Sequence, residues 1–130
     1  MQFVSLILAV LCAVATTLPA RAHHSQTMYD LTTLTTLEGT IRQVRWNFPH
    51  TWIYLDVADE QGQAQTWVLE GASPPSIQEL GVSKDHLLPG DRISARCHRL
   101  KDGSAGCVLG WVTPLHGDMA RGHGVERSWN

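Results

Sequence analysis

Two adjacent histidines, His23 and His24, follow Ala20-Arg21-Ala22, a small-x-small stretch of the kind that signal peptidase cuts. Cleavage after Ala22 would make His23 the first residue, so that its α-amine and its imidazole lie side by side. Those two nitrogens can chelate one metal ion, and His24 or His50 would supply a third nitrogen. Such a set suits Cu(II). We therefore predict a copper site; the alternative is that two polar residues merely suit the cleavage boundary.

His50 is a second candidate because it lies in a turn between two apolar segments and is flanked by indoles. The rings of Trp46 and Trp52 offer stacking surface and the imidazole offers a polar handle. With Tyr54 and Trp67 they predict an aromatic ligand face for a small molecule, a glycan or a protein partner. The alternative is a structural turn, in which Pro49 fixes the backbone and His50 hydrogen-bonds a neighbouring strand.

No complete catalytic arrangement is visible in the sequence. Glu70-Gly71-x-Ser73-Pro74 is not a nucleophile elbow, and no base is placed by spacing beside Ser73 or Asp56. Glu70 is expected to accept backbone N–H groups at the start of a helix, where negative charge is favoured. We expect a binding module rather than an enzyme; a copper oxidase built on His23 stays open as an alternative.

Cys97 and Cys107 flank a strong hairpin signal, Lys101-Asp102-Gly103. A turn centred on Asp102 puts them directly opposite on adjacent strands, which predicts a disulfide. The alternative is a thiol metal or redox site with His98, although the spacing differs from that of a redox C-x-x-C motif.

The beginning of the chain predicts export. Residues 3–15 are apolar and uncharged, and they are shorter than the ~20 residues of a membrane span. We predict a cleaved signal peptide over residues 1–22, a periplasmic or secreted protein, and no stable membrane anchor after cleavage. An uncleaved anchor is the alternative.

The charge of the mature chain argues against one class of partner. Losing Arg21 leaves nine Lys and Arg against twelve Asp and Glu, a net charge of −3 with neutral histidines. There is no basic stripe, so we expect no nucleic-acid binding. An unidentified small ligand, metal or protein is the expected partner.

Strand-like alternation recurs five times, over residues 37–46, 52–57, 65–70, 92–99 and 107–113. A phase change at Arg42-Gln43 predicts a β-bulge in the first strand. Pro74-Pro75 suits the start of a short helix between the third and fourth strands. This order predicts a mainly β fold, a small five-stranded OB-like barrel over residues 37–113. A β-sandwich is the alternative.

The segments outside the barrel are polar. Residues 23–36 are read as a leading arm, and residues 114–130 as a flexible tail rich in glycine. Four metal-ligating side chains in that tail are expected to lie in solvent: His116, Asp118, Met119 and His123. His86 and His98 are expected at the surface or at a strand edge.

Four motifs together resemble a family of small exported bacterial proteins known only as a domain of unknown function. They are Ala22-His23-His24-Ser25, Trp46…Pro49-His50-x-Trp52, Trp67-x-x-Glu70-Gly71-x-Ser73-Pro74, and Gly81 followed by Leu88-Pro89-Gly90-Asp91. The chain departs from the family pattern at Phe48, where Asn is usual, and at Val82, where Trp is usual. The resemblance implies an exported, OB-like, non-catalytic domain and supplies no function.

Overall fold

A computed structural model describes residues 26–115 and 117–130 of the chain. Its main elements are β1 (Thr35–Arg45), β2 (Trp52–Ala58), β3 (Ala64–Glu70), α1 (Pro74–Glu79), β4 (Arg92–Arg99), β5 (Gly106–Pro114) and a short β6 (Arg127–Ser128). The strands follow the order β3-β2-β1-β4-β5-β6, and β3 also pairs with β5, in parallel. This pairing closes five strands into a barrel with α1 between β3 and β4, so the predicted OB-like fold is confirmed.

The alternation of apolar side chains explains which face of each strand lines the barrel. In β2, Ile53 and Leu55 are fully buried, whereas Trp52 and Tyr54, which alternate with them, are half-buried. The predicted bulge is also present. Ile41 of β1 pairs with Leu55 and Gln43 pairs with Tyr54, so Arg42 has no paired residue on β2. Such a bulge increases the local twist and bend of a strand, and β1 pairs with both β2 and β4.

The helix α1 lies over one end of the barrel core. Ser73 is its N-cap, with the hydroxyl accepting a hydrogen bond from the Ser76 amide, and Pro74 occupies the first turn. Ile77 is fully buried and belongs to the same apolar cluster as the strand residues. None of the helices in the described part of the chain is long and apolar enough to cross a membrane.

The predicted disulfide between Cys97 and Cys107 is confirmed, and both residues are fully buried. The predicted register is wrong, because Cys97 pairs with Leu109 and Cys107 with Arg99. The two cysteines are therefore diagonal neighbours, with their Cα atoms 5.6 Å apart. The hairpin is centred one residue later than expected because its loop runs on to Gly106, whose carbonyl accepts the Leu100 amide.

The expectation of a flexible tail is wrong for the C-terminal segment, defined here as residues 117–130. Asp118 caps a 3₁₀ turn (Met119–Arg121), β6 pairs with β5, and Trp129 is fully buried in the core cluster. Asp118 and Met119 are exposed as expected, but His123 is 1% exposed. Single anchors spaced by glycines give no periodic signal, which explains the error.

Two further expectations are corrected or limited by the structure. The leading arm is partly ordered: residues Gln26–Met28 form a 3₁₀ turn, and Tyr29 is only 4% exposed and bridges to Leu100. His86, expected at the surface, is 3% exposed. His98 is half-buried on β4, with its Nδ1 2.8 Å from the Thr33 carbonyl oxygen. The predicted signal peptide, His23, His24 and His116 lie outside the described residues.

Candidate functional site

A cavity of about 160 Å³ lies where the β1–β2 loop, the end of β3 and the C-terminal segment meet. Its walls include His50 from the loop, Glu70 and Gly71 from the end of β3, and Asn130 from the C-terminal segment. Gln26, at the beginning of the described chain, forms a further wall. Of the predicted metal ligands and aromatic ligand-face residues in the described part of the chain, only His50 lines this cavity.

Glu70 is the buried acid of the site, with a side chain only 6% exposed. Its Oε2 accepts a 2.6 Å hydrogen bond from the hydroxyl of Tyr29, and its Oε1 lies 3.3 Å from His50 Nδ1. Burial, the hydrogen bond to Glu70 and the charge of that carboxylate raise the pKa of Tyr29. Tyr29 therefore remains a protonated donor to Glu70 throughout the physiological range.

The partners of His50 determine which of its ring nitrogens carries the proton. Nδ1 lies 3.2 Å from the carbonyl oxygen of Gly71 and 3.3 Å from the Glu70 carboxylate, and both are acceptors. We therefore assign the hydrogen to Nδ1, which leaves a bare lone pair on Nε2 of the neutral ring. No residue within 26–115 or 117–130 hydrogen-bonds to Nε2, and this atom is not among the buried unpaired ones. His50 thus presents an open nitrogen ligand.

The backbone around Gly71 is hydrogen-bonded on one side to Thr51 and on the other to Trp129, which fixes the shape of the cavity. The Gly71 amide donates to the Thr51 carbonyl, and the hydroxyl of fully buried Thr51 donates to the Ala72 carbonyl at 2.9 Å. The Ala72 amide donates to the Trp129 carbonyl at 2.8 Å. A Cβ atom at Gly71 would lie 2.5 Å from the Thr51 hydroxyl, so glycine is required by close approach rather than by backbone angles.

The four aromatic residues predicted as one ligand face are not brought together. Trp52 and Tyr54 are half-buried on the outer side of β2, and Trp52 contacts the His50 ring edge-on at 6.4 Å between centroids. Trp67 pairs with inward-pointing Leu55 and belongs to the core cluster. Trp46 packs edge-on against Trp129 at 6.1 Å. Strand register, which the sequence does not specify, separates them.

The role expected for Glu70 is corrected by its contacts. Ser73, not Glu70, caps α1, and Glu70 points instead to Tyr29 and His50. Tyr29 and Asn130 were missed because both lie in segments read as unstructured. The only signal in the sequence was Tyr29 itself, a single aromatic residue in the polar leading arm.

The described residues by themselves do not complete a metal site. Among them no group of three or more His, Cys, Asp or Glu side chains could hold a metal ion. His50 is one nitrogen ligand with a positioned ring, and the other two predicted ligands, His23 and His24, precede the described chain.

A family model described as a family of unknown function (DUF6152) matches residues 10–109, more than half of the chain. The chain belongs to DUF6152. Membership confirms the resemblance and carries no function with it. The match includes His50 and Glu70 and ends before the C-terminal segment. No curated protein and no solved structure matches this chain.

Proposed function

We propose that this DUF6152 protein is an exported binding module that holds a metal ion, copper first, at the mouth of the cavity. The observation that carries the proposal is the state of His50. Its Nδ1–H is held by the Gly71 carbonyl with the Glu70 carboxylate 3.3 Å away, and the hydrogen assigned to Nδ1 leaves the lone pair on Nε2.

This arrangement matches the way proteins orient a metal-binding histidine. Such a ligand donates its other ring N–H to a carboxylate or a backbone carbonyl, which fixes the tautomer and makes the coordinating nitrogen more basic. Here the Gly71 carbonyl accepts from His50, the Glu70 carboxylate lies 3.3 Å from the same nitrogen, and Tyr29 in turn donates to Glu70. The chain Tyr29–Glu70–His50 therefore supports a cation at Nε2, with the Glu70 charge lowering the electrostatic cost of holding it.

The remaining ligands would come from the residues that precede the described chain. Gln26 lines the cavity, and His24 and His23 are two and three residues before it. An extended chain spans at most ~3.6 Å per residue, so both Cα atoms are confined to within ~11 Å of Gln26 Cα. Since Gln26 and His50 line the same cavity, we propose that the terminal amine and imidazole meet His50 Nε2 there. Three nitrogen donors of this kind suit Cu(II).

A Cu(II) titration tests the proposal most directly. It uses protein exported with its own signal, with the His23 terminus confirmed by intact mass, beside protein carrying an extra Met before His23. We expect tight binding only with the free terminus, with electron paramagnetic resonance showing nitrogen coordination. His50→Ala should weaken binding, whereas His98→Ala, at a half-buried histidine on β4 that does not line the cavity, should not. Equal or absent binding in both forms would overturn the metal proposal.

The carboxylate behind His50 makes a separate prediction. Glu70→Gln keeps the shape of the side chain but removes the charge that orients the imidazole. Loss of such an outer partner typically lowers metal affinity about 10–100-fold. The dissociation constant for Cu(II) should therefore rise by that factor while the unfolding midpoint in urea confirms a folded protein. An unchanged constant would mean that Glu70 is structural only.

A second candidate function is a non-metal interaction domain, and the aromatic residues beside His50 favour it. Phe48 is 79% exposed, two residues before His50, and half-buried Trp52 contacts the His50 ring. A small organic molecule or a protein loop could use these rings together with the open Nε2. If copper binds in neither form, chemical-shift mapping with small-molecule libraries should find perturbations centred on Phe48 and Trp52, and Phe48→Ala should remove them.

A further inference from the structure

The C-terminal segment forms one wall of the cavity and is fastened to the barrel by a histidine and an ion pair. We propose that it is a pH-sensitive latch, in which protonation of His86 loosens the segment and opens the cavity beside His50. The proposal concerns the metal-free protein and does not depend on what the cavity binds.

His86 is the buried residue that holds the C-terminal segment through a hydrogen bond. It lies in the loop between α1 and β4, is 3% exposed, and its Nδ1 lies 2.6 Å from the carbonyl oxygen of Arg121. That contact requires a hydrogen on Nδ1, so the neutral ring has a lone pair on Nε2. This Nε2 is buried, and no residue in the described part of the chain bonds to it. Protonation would therefore place a charged N–H where it has no acceptor.

The charged groups around His86 make that protonation unfavourable in the docked state. Arg121 and Arg127 face it from the C-terminal segment, and the His123 ring lies edge-on with its centroid 6.2 Å away. The carboxylates of Asp91 and Asp118 are already engaged: Asp91 receives both terminal nitrogens of Arg121, at 2.7 and 3.0 Å, and Asp118 receives its Nε at 3.0 Å.

The balance of these effects determines the direction of the pH response. Burial, together with the neighbouring His123, Arg127 and Arg121 side chains, lowers the pKa of His86 despite the hydrogen bond to the Arg121 carbonyl. The undocked state therefore binds the proton more readily. Docking is fully stable above the ordinary histidine pKa of about 6.5 and weakens as the pH falls below it.

The ion pair between Asp91 and Arg121 responds only in stronger acid. Although burial opposes it, hydrogen bonds from Arg121 and from the Leu88 amide lower the pKa of Asp91. Its stabilisation is complete above the ordinary aspartate pKa of about 3.9 and is lost as the pH falls through the lowered value. Between these limits the response is assigned to His86, and the buried His123 is the other titratable group packed against it.

Loosening the segment would change the cavity because the segment supplies part of its wall. The Trp129 carbonyl accepts the Ala72 amide at 2.8 Å, the Trp129 amide donates to the Gly110 carbonyl at 2.9 Å, and Asn130 lines the cavity. When the segment leaves, the amides of Ala72 and Trp129 lose their partners. These two amides therefore report opening at the cavity itself.

Amide hydrogen exchange by NMR on the whole mature, metal-free protein tests the latch. Protection, corrected for intrinsic rates, is compared at about pH 7.5 and about pH 5, on either side of the ordinary histidine pKa. We expect several-fold lower protection of the Ala72 and Trp129 amides at the lower pH. The Val68 amide, which is bonded to the Ala105 carbonyl within the barrel, should stay constant. Unchanged protection at Ala72 and Trp129 would overturn the proposal.

Two asparagine variants show whether His86 is responsible. His86→Asn retains a donor near the Nδ1 position and cannot be protonated, so its protection should not depend on pH in this range. His98→Asn makes the same change at a half-buried histidine that bonds to the Thr33 carbonyl rather than to the C-terminal segment, and it should behave like the natural sequence. If His86→Asn does not fold, NMR titration of the His86 imidazole gives the answer, and a pKa at or above the ordinary value contradicts the latch. A failure of copper binding would leave all these outcomes unaltered.

Discussion

The open nitrogen of His50 depends on contacts with residues distant in sequence. Glu70 is 41 residues from Tyr29, and the carbonyl that helps to hold His50 is 21 residues from it. A buried carboxylate is costly unless it is hydrogen-bonded, and Tyr29 and His50 both meet that need. The same contacts that satisfy Glu70 determine the tautomer of His50.

Removal of the Tyr29 hydroxyl tests this dependence. Tyr29→Phe leaves Glu70 Oε2 without its 2.6 Å donor, and a hydrogen bond to a charged group contributes about 1.5–3 kcal/mol. We expect the free energy of unfolding in urea to fall by that amount. Tyr54→Phe is the matched control, because the Tyr54 hydroxyl bonds to no described residue and its ring is only half-buried. Equal losses in both variants would refute a special role for the Tyr29–Glu70 contact.

At the scale of elements, the site depends on three segments of the chain that meet at the Gly71 backbone. They are the β1–β2 loop, the end of β3 and the C-terminal segment. The opposite side of β3 is fixed by its parallel pairing with β5, in which Leu69 pairs with Cys107. The disulfide therefore braces the β4–β5 hairpin, whose strand β5 pairs with the strand that ends in Glu70.

Reduction of that disulfide should lower stability without changing the fold. Closing a loop of ten-residue separation stabilises by about 2–3 kcal/mol in the chain-entropy model. Urea unfolding with and without a phosphine reductant should show this difference in the natural sequence. The double variant Cys97→Ala and Cys107→Ala should show no dependence on reductant. A response of that variant to the reductant would assign the effect to something other than the Cys97–Cys107 bond.

At the scale of the whole molecule, the C-terminal segment completes the barrel rather than extending from it. Trp129 is fully buried, packs against Trp46 and shares the core cluster with the strand residues. The family match ends at residue 109, before this segment begins. The cavity thus joins residues inside the family match to a wall, Asn130, that lies outside it.

Removing the Trp129 side chain should lower the free energy of unfolding as much as a large-to-small mutation in the barrel core. Trp129→Ala removes a fully buried indole, a change that typically destabilises by about 3–5 kcal/mol. Trp111→Ala is the control, because Trp111 on the same sheet is 38% exposed and its loss should cost less. Thermal unfolding of the two variants gives the comparison. Similar losses, or a negligible loss for Trp129→Ala, would mean that the segment is not part of the cooperative core.

Much of the barrel could be predicted from the sequence because its signals are local. The apolar alternation of β2, the phase change at Arg42 and the turn residues between Cys97 and Cys107 each concern neighbours along the chain. Backbone geometry alternates side chains between two faces with period two, so such patterns specify strands and a bulge wherever they occur. The disulfide followed from the turn, although the exact register did not.

The sequence by itself determined the strands, the short helix and the pairing of the cysteines. Only the tertiary structure decided that Glu70 faces Tyr29 and His50, that Trp67 points inward, and that Trp129 is buried. Those outcomes depend on packing between segments tens of residues apart, and a single side chain carries no period that would reveal its partner. The candidate site is built from such contacts, which is why His50 could be singled out from sequence but not the residues that position it.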